Sequence, residues 1–148
     1  MEYDQLKLSN QVCFPIYAAS RLITREYQPL LDKLGITYPQ YLVLMVLWET
    51  DNVTVNKITN KLILNTNTVT PLLKRMEVLG LISRTRSEND ERKVMVSLTE
   101  KGKELRVKAA EIPAQLVKKL DTGKLDLNEL IDLREKLNRL IDSMVSRE

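Results

Sequence analysis

The sequence contains no histidine and only one cysteine, Cys13, among its 148 residues. Without histidine, a Ser-His-Asp triad, a Cys-His dyad and a histidine metal site are all excluded. A single cysteine cannot form an intramolecular disulfide or a cysteine-based zinc cluster. Much of ordinary enzyme chemistry is therefore excluded before any motif is considered, and we expect a protein that is not an enzyme and binds no cofactor.

Glycine, proline and long apolar runs are also scarce. The chain has 4 glycines and 5 prolines, which excludes collagen-like and low-complexity character. Its longest apolar run, Tyr41–Trp48, is far shorter than the roughly 20 residues of a membrane span. The acidic start, Met1-Glu2-Tyr3-Asp4, lacks the apolar core of a signal peptide, so we expect a cytoplasmic location. With 43% hydrophobic and 29% charged residues, the chain can bury the core of about one domain.

Positive charge is concentrated in the middle of the chain. The net charge is only +3, but the segment Thr54–Lys93 holds eight basic and four acidic residues, which give it +4. A local basic segment in an otherwise balanced chain fits a footprint for a polyanion. A solvated surface of mixed charge is the alternative interpretation of the same pattern.

Apolar spacing predicts helices in the first third of the chain. Steps of three and four from Leu8 to Leu34 predict one long helix or two abutting ones, with a kink or break at Pro29. Thr37 and Gln40 form a capping box for the next helix, which runs to Trp48. That helix is apolar almost all round, so it should lie at the centre of the core.

The basic segment predicts a helix-turn-helix followed by a hairpin. Short helices are expected over Val55–Leu62 and Thr66–Leu79, with Leu79 facing inward and Gly80 closing the second helix. The pattern then alternates with a period of two in residues 81–86 and 93–98, which predicts two paired strands. A charged hairpin beside a helix-turn-helix is a wing.

The C-terminal part predicts further helices. One should run from Thr99 toward Leu120, bent at Pro113, and another from the capping box at Asp126 to Val145. The terminal helices carry more apolar residues than so small a winged core can cover, which favours a dimer interface. Packing of these helices against each other is the alternative. We therefore assign residues 1–36 and 104–148 to dimerisation and residues 37–103 to a winged helix-turn-helix.

Cys13 permits two interpretations from its surroundings alone. A lone cysteine is often a small buried hydrophobe without chemistry. Tyr17, however, lies four residues later on the same helical face, where a phenol can donate a hydrogen bond to a thiolate. A place in the first helical turn would favour the thiolate further, and only the thiolate attacks a peroxide.

Several multi-residue blocks occur in order between about Leu8 and Pro113. They are Cys13-Phe14, Tyr17-Ala18-Ala19-Ser20-Arg21, Tyr27-Gln28-Pro29-Leu30-Leu31-Asp32-Lys33-Leu34, Ile36-Thr37-Tyr38-Pro39-Gln40-Tyr41-Leu42, Leu47-Trp48-Glu49, Thr68-Val69-Thr70-Pro71-Leu72-Leu73-Lys74-Arg75-Met76-Glu77, Asp90-Glu91-Arg92 and Ser97-Leu98-Thr99-Glu100. With the order of the predicted elements, these blocks resemble the MarR family of winged-helix transcription regulators, and within it the organic-hydroperoxide repressor (OhrR) branch.

The resemblance implies a mainly helical homodimer that represses transcription and leaves DNA when Cys13 is oxidised. It implies that Tyr17 and Tyr27 of the opposite subunit hydrogen-bond the sulfur, with Tyr38 in the same network or simply in the core. An organic hydroperoxide would be the oxidant. Because the chain has no second cysteine, a low-molecular-weight thiol, over-oxidation or a sulfenamide would complete the reaction.

DNA contacts are expected from the second helix of the motif and from the wing. Base or phosphate contacts are expected at the start of the helix from Asn65, Thr66, Asn67, Thr68 and Thr70. Capping of the helix is the alternative role of Asn65 and Thr66. Phosphate contacts are expected from Lys74, Arg75, Arg84, Arg86 and Lys93. The resemblance implies that Arg92 enters the minor groove while Asp90 orients a wing arginine. The branch usually has Asp-Ser-Gly-Thr where this chain has Asn65-Thr66-Asn67-Thr68, so its DNA sequence preference does not carry over.

Other functions remain open on the sequence. One is a MarR-type repressor released by a small apolar or phenolic ligand, with Cys13 incidental. Another is a one-cysteine peroxidase, and a third is a constitutive DNA binder. The preferred prediction is a redox-sensing repressor on a near-palindromic double-stranded operator, with half-sites about 34–36 Å apart.

Overall fold

The computed structural model describes residues 3–147 and is mainly helical. Its helices are α1 (Cys13–Asp32), α2 (Tyr38–Glu49), α3 (Val55–Leu62), α4 (Thr66–Val78), α5 (Glu100–Ala109), α6 (Ile112–Leu120) and α7 (Leu127–Val145). Its strands are β1 (Val53–Thr54), β2 (Ile82–Arg86) and β3 (Val94–Leu98). The chain divides into two units, Met1–Ala110 and Glu111–Glu148. The predicted fold class, a winged helix-turn-helix in a mainly helical chain, is confirmed.

The first long helix is shorter than its apolar spacing predicts. It begins at Cys13, and 3-10 turns occupy Asp4–Leu6 and Leu8–Asn10. The prediction of a helix from Leu8 is therefore wrong, because the side chains of Asn10 and Gln11 donate hydrogen bonds to carbonyl oxygens six residues earlier and hold tight turns. The expected break at Pro29 is also absent from α1, which continues through that residue to Asp32.

Helix α2 forms the centre of the core, as predicted. Thr37 and Gln40 make the expected capping box at its start. Val43, Leu44 and Leu47 are fully or almost fully buried. Trp48, near the helix end, donates its indole Nε1 proton to the carbonyl oxygen of Gly102 over 2.9 Å, which fixes α2 against α5.

The wing is part of a three-stranded antiparallel sheet in the order β1-β3-β2. Strands β2 and β3 confirm the predicted hairpin, with Arg84 paired to Val96 at its middle. Strand β1, which the sequence did not predict, pairs Val53 with Val96 on the other side. The Asp51 carboxylate accepts from the backbone N–H of Leu98 at 2.9 Å, so the base of the wing is fastened to the loop between α2 and β1.

Two predictions about the ends of helices need correction. Leu79 is 40% exposed rather than inward, because α4 ends at Val78 and Gly80 turns the chain with φ +73°. The predicted helix from Thr99 to Leu120 is two helices, α5 and α6, which are separated at Ala110 and Glu111. Pro113 falls in the first turn of α6, where its missing N–H needs no partner.

Candidate DNA interface and thiol site

The start of each helix of the predicted DNA-binding motif is fixed by a side-chain cap. Thr54 Oγ1 accepts from the backbone N–H of Lys57 at 3.1 Å, at the start of α3. Asn65 Oδ1 accepts from the backbone N–H of Thr68 at 2.9 Å, at the start of α4. Between the helices Ile63 takes a left-handed conformation, with φ 54°, which makes the tight turn. The predicted helix-turn-helix is thereby confirmed.

Helix α4 separates its apolar and polar residues on two faces. Val69, Leu72, Leu73 and Met76 are buried against the core. The opposite face exposes most of the residues expected to meet DNA, and only Thr70 is half-buried. The exposed ones are Asn65, Thr66, Asn67, Thr68, Lys74 and Arg75.

A cleft of about 330 Å³ lies between this helix and the wing. Thr66 and Thr70 line one side, and Arg84, Arg92 and Lys93 line the other. No carboxylate occurs among the described residues that line it. Cations beside hydroxyl groups suit a phosphate group, and the carboxylates that pair with Arg84 and Arg92 lie outside this lining.

Arg92 is held at the tip of the wing by Asp90. One oxygen of the Asp90 carboxylate accepts from the backbone N–H of Arg92 at 3.1 Å and from its Nε at 3.2 Å. The backbone hydrogen bond makes the largest contribution to lowering the pKa of Asp90. The side-chain hydrogen bond and the nearby Lys93 charge lower it further. The Arg92 side chain is nevertheless 91% exposed, so it is oriented but remains available to a partner.

The other two wing arginines are less free than Arg92. Arg84, with 22% of its side chain exposed, donates to the Glu77 carboxylate from its backbone N–H at 3.0 Å and from Nη2 at 3.2 Å. The side-chain hydrogen bond is the main reason that the pKa of Glu77 is lowered. Arg86 donates from Nη1 to the backbone carbonyl of Glu91 at 3.1 Å. Arg84 thus joins the wing to the end of α4 as well as lining the cleft.

A basic surface on α3 was not among the predicted contact residues. Asn56, Lys57, Asn60 and Lys61 line an open depression on its outer side. The first helix of a helix-turn-helix crosses the DNA backbone, so these side chains are candidate phosphate contacts. The two lysines, spaced four apart on a short polar helix, were the available signal.

Cys13 is exposed and is the first residue of α1. The condition stated for Cys13, a place in the first helical turn, is therefore met, because α1 begins five residues later than its predicted start at Leu8. The positive end of the helix dipole lies at this end of α1. Tyr17, one turn later, is 64% exposed. The Arg21 guanidinium lies 4.6 Å from the centre of the Tyr17 ring, an attractive cation–π contact that helps to fix the ring.

Tyr27 and Tyr38 lie together, in an aromatic cluster that also contains Tyr41. The ring centres of Tyr27 and Tyr38 are 4.8 Å apart, and those of Tyr27 and Tyr41 are 5.8 Å apart. The pKa of Tyr27 is raised to about 12, mainly by burial and to a smaller extent by the neighbouring Tyr38 and Tyr41 hydroxyls. The phenol therefore keeps its proton at neutral pH and can act as a hydrogen-bond donor. Tyr41 was not predicted as part of this group.

Strongly alkaline pH should weaken the fold through this cluster. Because the folded state favours the neutral phenol, stability is retained below pH 10 and falls as the pH rises toward 12. For Tyr27 the pKa difference from 10.0 to about 12 corresponds to at most about 2–3 kcal/mol. The free energy of unfolding, measured with urea at pH 9 and pH 11.5, should therefore differ less between the two pH values for Tyr27→Phe than for the wild type. Tyr17→Phe, at an exposed position, is the control and should keep the wild-type difference.

Within one chain Cys13 and Tyr27 are far apart. Both lie on α1, and fourteen helical positions separate them by about 21 Å along the axis. A hydrogen bond between the two side chains therefore requires a second subunit.

Among residues 3–147, no group of acidic or cysteine side chains is arranged to hold a metal ion. No helix in the described part of the chain is both long and apolar enough to cross a membrane.

Comparison with known proteins connects these features to transcription regulators. Residues 25–108 match the family model of the transcriptional regulator SarA/Rot. The organic hydroperoxide resistance transcriptional regulator of Bacillus subtilis (strain 168) is 49% identical over 143 residues, which cover 97% of this chain and 95% of the relative. The HTH-type transcriptional regulator MgrA of Staphylococcus aureus is 40% identical over 139 residues, 93% of this chain and 92% of the relative.

The fold is similar to that of a solved DNA-bound protein. The structure of reduced AbfR, a protein of Staphylococcus epidermidis, bound to DNA superposes with a TM-score of 0.80 at 35% identity. The match covers 98% of this chain and 99% of AbfR. These relatives regulate transcription, so the expectation of a regulator rather than an enzyme is confirmed. The resemblance to the organic-hydroperoxide branch is confirmed as well, and the chain belongs to the MarR family of winged-helix transcriptional regulators.

Proposed function

We propose that this chain is a peroxide-sensing transcriptional repressor that leaves its operator DNA when Cys13 is oxidised. The observation that carries the proposal is an exposed thiol in the first turn of α1, beside Tyr17, in a chain that also carries a basic winged module. Its relatives support it, because one is named an organic hydroperoxide resistance regulator and another was studied as a DNA complex. Acting on operator DNA places the protein in the cytoplasm.

The working unit is a homodimer. The exposed apolar residues Phe14, Ile16 and Leu22 of α1 need a covering partner, and no described side chain of α7 is buried. Residues 1–36 and 104–148 accordingly supply dimerisation, and residues 37–103 bind DNA. If two α1 helices run antiparallel across a two-fold axis near Ser20, Cys13 meets the partner's Tyr27.

In this arrangement the reduced sulfur is a thiolate that accepts hydrogen bonds from phenols. Its attack on an organic hydroperoxide breaks the O–O bond and forms an S–O bond, so the sulfur becomes a sulfenic acid and the peroxide becomes an alcohol. A low-molecular-weight thiol then displaces water to give a mixed disulfide. Loss of one or two charge-assisted hydrogen bonds, at about 1.5–3 kcal/mol each, exceeds the roughly 1.4 kcal/mol of a tenfold change in affinity.

The size of the group on sulfur should decide release. Over-oxidised AbfR was found bound to DNA, and a disulfide form of AbfR is also known. Because the chain has one cysteine, Cys13 cannot form a disulfide within its own subunit. Within one subunit, the bulky oxidation product is therefore a mixed disulfide between Cys13 and a small thiol. Such a group at the start of α1 displaces the helix more than added oxygen atoms do, and the winged modules move with it.

A DNA-shift assay with mass measurement on the same sample tests the proposal. DNA is first selected from a random-sequence pool by the reduced protein, and the complex is treated with one equivalent of cumene hydroperoxide, with or without a small thiol. With the thiol present, we expect release together with a mass increase that peptide mapping assigns to a mixed disulfide at Cys13. Release without modification of Cys13, or complete conversion to the mixed disulfide without release, would contradict the proposal.

Arg92→Ala tests the wing separately from the sensor. Removing an exposed arginine that Asp90 holds in place should lower operator affinity about tenfold, or about 1.4 kcal/mol, and should leave the dimer intact by sedimentation. Arg106→Ala, on α5 outside residues 37–103, is the control and should bind normally. Wild-type affinity for Arg92→Ala would remove the wing from DNA recognition.

A further inference from the structure

The first two turns of α4 offer DNA only short polar groups. The sequence Asn65-Thr66-Asn67-Thr68-Val69-Thr70 contains no arginine, lysine or glutamine. The first basic residue of the helix, Lys74, lies seven positions after Asn67, about 10 Å along the axis. Arginine and lysine are the usual readers of guanine, so this end of the helix lacks them.

Several of these short groups are already engaged within the helix. Asn65 Oδ1 accepts hydrogen bonds from the Thr68 backbone N–H at 2.9 Å and from the Thr68 hydroxyl at 3.1 Å. Asn65 cannot offer both its oxygen and its amino group to a base without giving up the cap of α4. The hydroxyl proton of Thr68 is used in the same way.

Asn67 is different from Asn65, although the two residues are only two positions apart. It is the second residue of α4 and is exposed, and its side chain makes no hydrogen bond within residues 3–147. Its backbone carbonyl also lacks the usual helical donor, because residue 71 is a proline inside the helix. Asn67 therefore presents an unengaged donor and acceptor at the end of the helix that meets base edges.

A free asparagine amide matches one base in the major groove. Its oxygen and amino group pair with N6 and N7 of adenine in a two-bond contact. Thr70 lies three positions later on the same face, where its methyl group can contact a thymine methyl. We infer that Asn67 reads an adenine in each operator half-site. This inference rests on the proposed function and adds the identity of the base.

The test replaces single adenines of the selected DNA with 7-deazaadenine, which keeps Watson–Crick pairing and removes the N7 acceptor. The wild-type protein should bind the DNA about tenfold more weakly when N7 is removed from one particular adenine, which occupies the symmetry-related position in each half-site. Asn67→Ala should bind unmodified DNA about tenfold more weakly and should no longer distinguish adenine from 7-deazaadenine there. Asn65→Ala, which loses only the cap, is the matched control and should still distinguish them.

The outcomes separate this inference from the proposed function. If no adenine responds to the loss of N7 in the wild type, or if Asn67→Ala still distinguishes the two bases, the inference is wrong while DNA binding stands. If the reduced protein selects no DNA at all, the proposed function itself fails. The wild-type measurement needs no variant, and circular dichroism verifies that Asn67→Ala is folded.

Discussion

A Cys13→Ser protein should stay on its operator when an organic hydroperoxide is added, under conditions that release the wild type. The substitution replaces the only sulfur that can form a sulfenic acid or a mixed disulfide. A serine hydroxyl at the first position of α1 stays neutral and does not react with peroxides. In the reduced state the variant should still bind DNA, because its hydroxyl can accept hydrogen bonds from the same phenols, although these bonds are weaker than those to a thiolate. The expected effect is therefore complete loss of the peroxide response, measured against the variant's own basal affinity.

Methionine oxidation is the process that this experiment has to exclude. The chain has 5 methionines, and Met45 and Met144 are exposed enough to react. Wild type and Cys13→Ser therefore receive the same stoichiometric peroxide, and peptide mapping compares oxidation at the methionines. Equal release of the two proteins would show that Cys13 is not the sensor. The winged module would then remain a DNA binder released by another signal, such as a small ligand.

Gly102→Ala should destabilise the protein by about 2 kcal/mol or more, although helix propensity alone predicts a gain of about 1 kcal/mol. Gly102 lies in the first turn of α5. A Cβ atom there would overlap the backbone carbonyl oxygen of Leu81 and stand 3.1 Å from Leu98 Cδ2. Backbone atoms cannot rotate away as a flexible side chain can, so α5 would have to move away from the start of the wing.

Several contacts would move with α5. The Gly102 carbonyl accepts the indole hydrogen bond of Trp48 at 2.9 Å, and the Thr99 hydroxyl donates to the Gly80 carbonyl at 2.6 Å. Urea unfolding followed by Trp48 fluorescence measures both the loss of stability and the change around the indole. Glu104→Ala, at an exposed position of the same helix, is the control and should unfold like the wild type. A Gly102→Ala protein as stable as the wild type would mean that α5 does not pack closely on Leu81.

Local signals located most helix starts correctly. The capping boxes expected at Thr37 and Asp126 are present, and Thr54, Asn65 and Thr99 also accept backbone hydrogen bonds at the starts of their helices. A cap involves a side chain and a backbone group only three residues apart, so neighbouring residues contain the information. The start of α1 was missed for a related reason. Asn10 and Gln11 bond back across six residues to stabilise turns, a pattern that apolar spacing does not reveal.

Parts of the DNA site depended on contacts between distant segments. The Arg84–Glu77 pair joins β2 to α4, so an arginine expected to be free for DNA is partly used to hold the wing. Strand β1 is two residues long and is defined by its pairing with β3, more than forty positions away. Neither feature has a local signature, because each depends on where the folded chain places a remote partner.

The sequence by itself determined the winged helix-turn-helix, its basic segment and the presence of a single thiol, because periodicity, caps and composition are local properties. Only the tertiary structure decided which polar groups remain available. It showed that Asn65 is engaged while Asn67 is free, that the Arg92 side chain is exposed while that of Arg84 is mostly covered, and that Tyr27 is half-buried beside Tyr38 and Tyr41. The physical reason is that availability depends on hydrogen bonds and burial, and both are set by residues that meet only after the chain has folded.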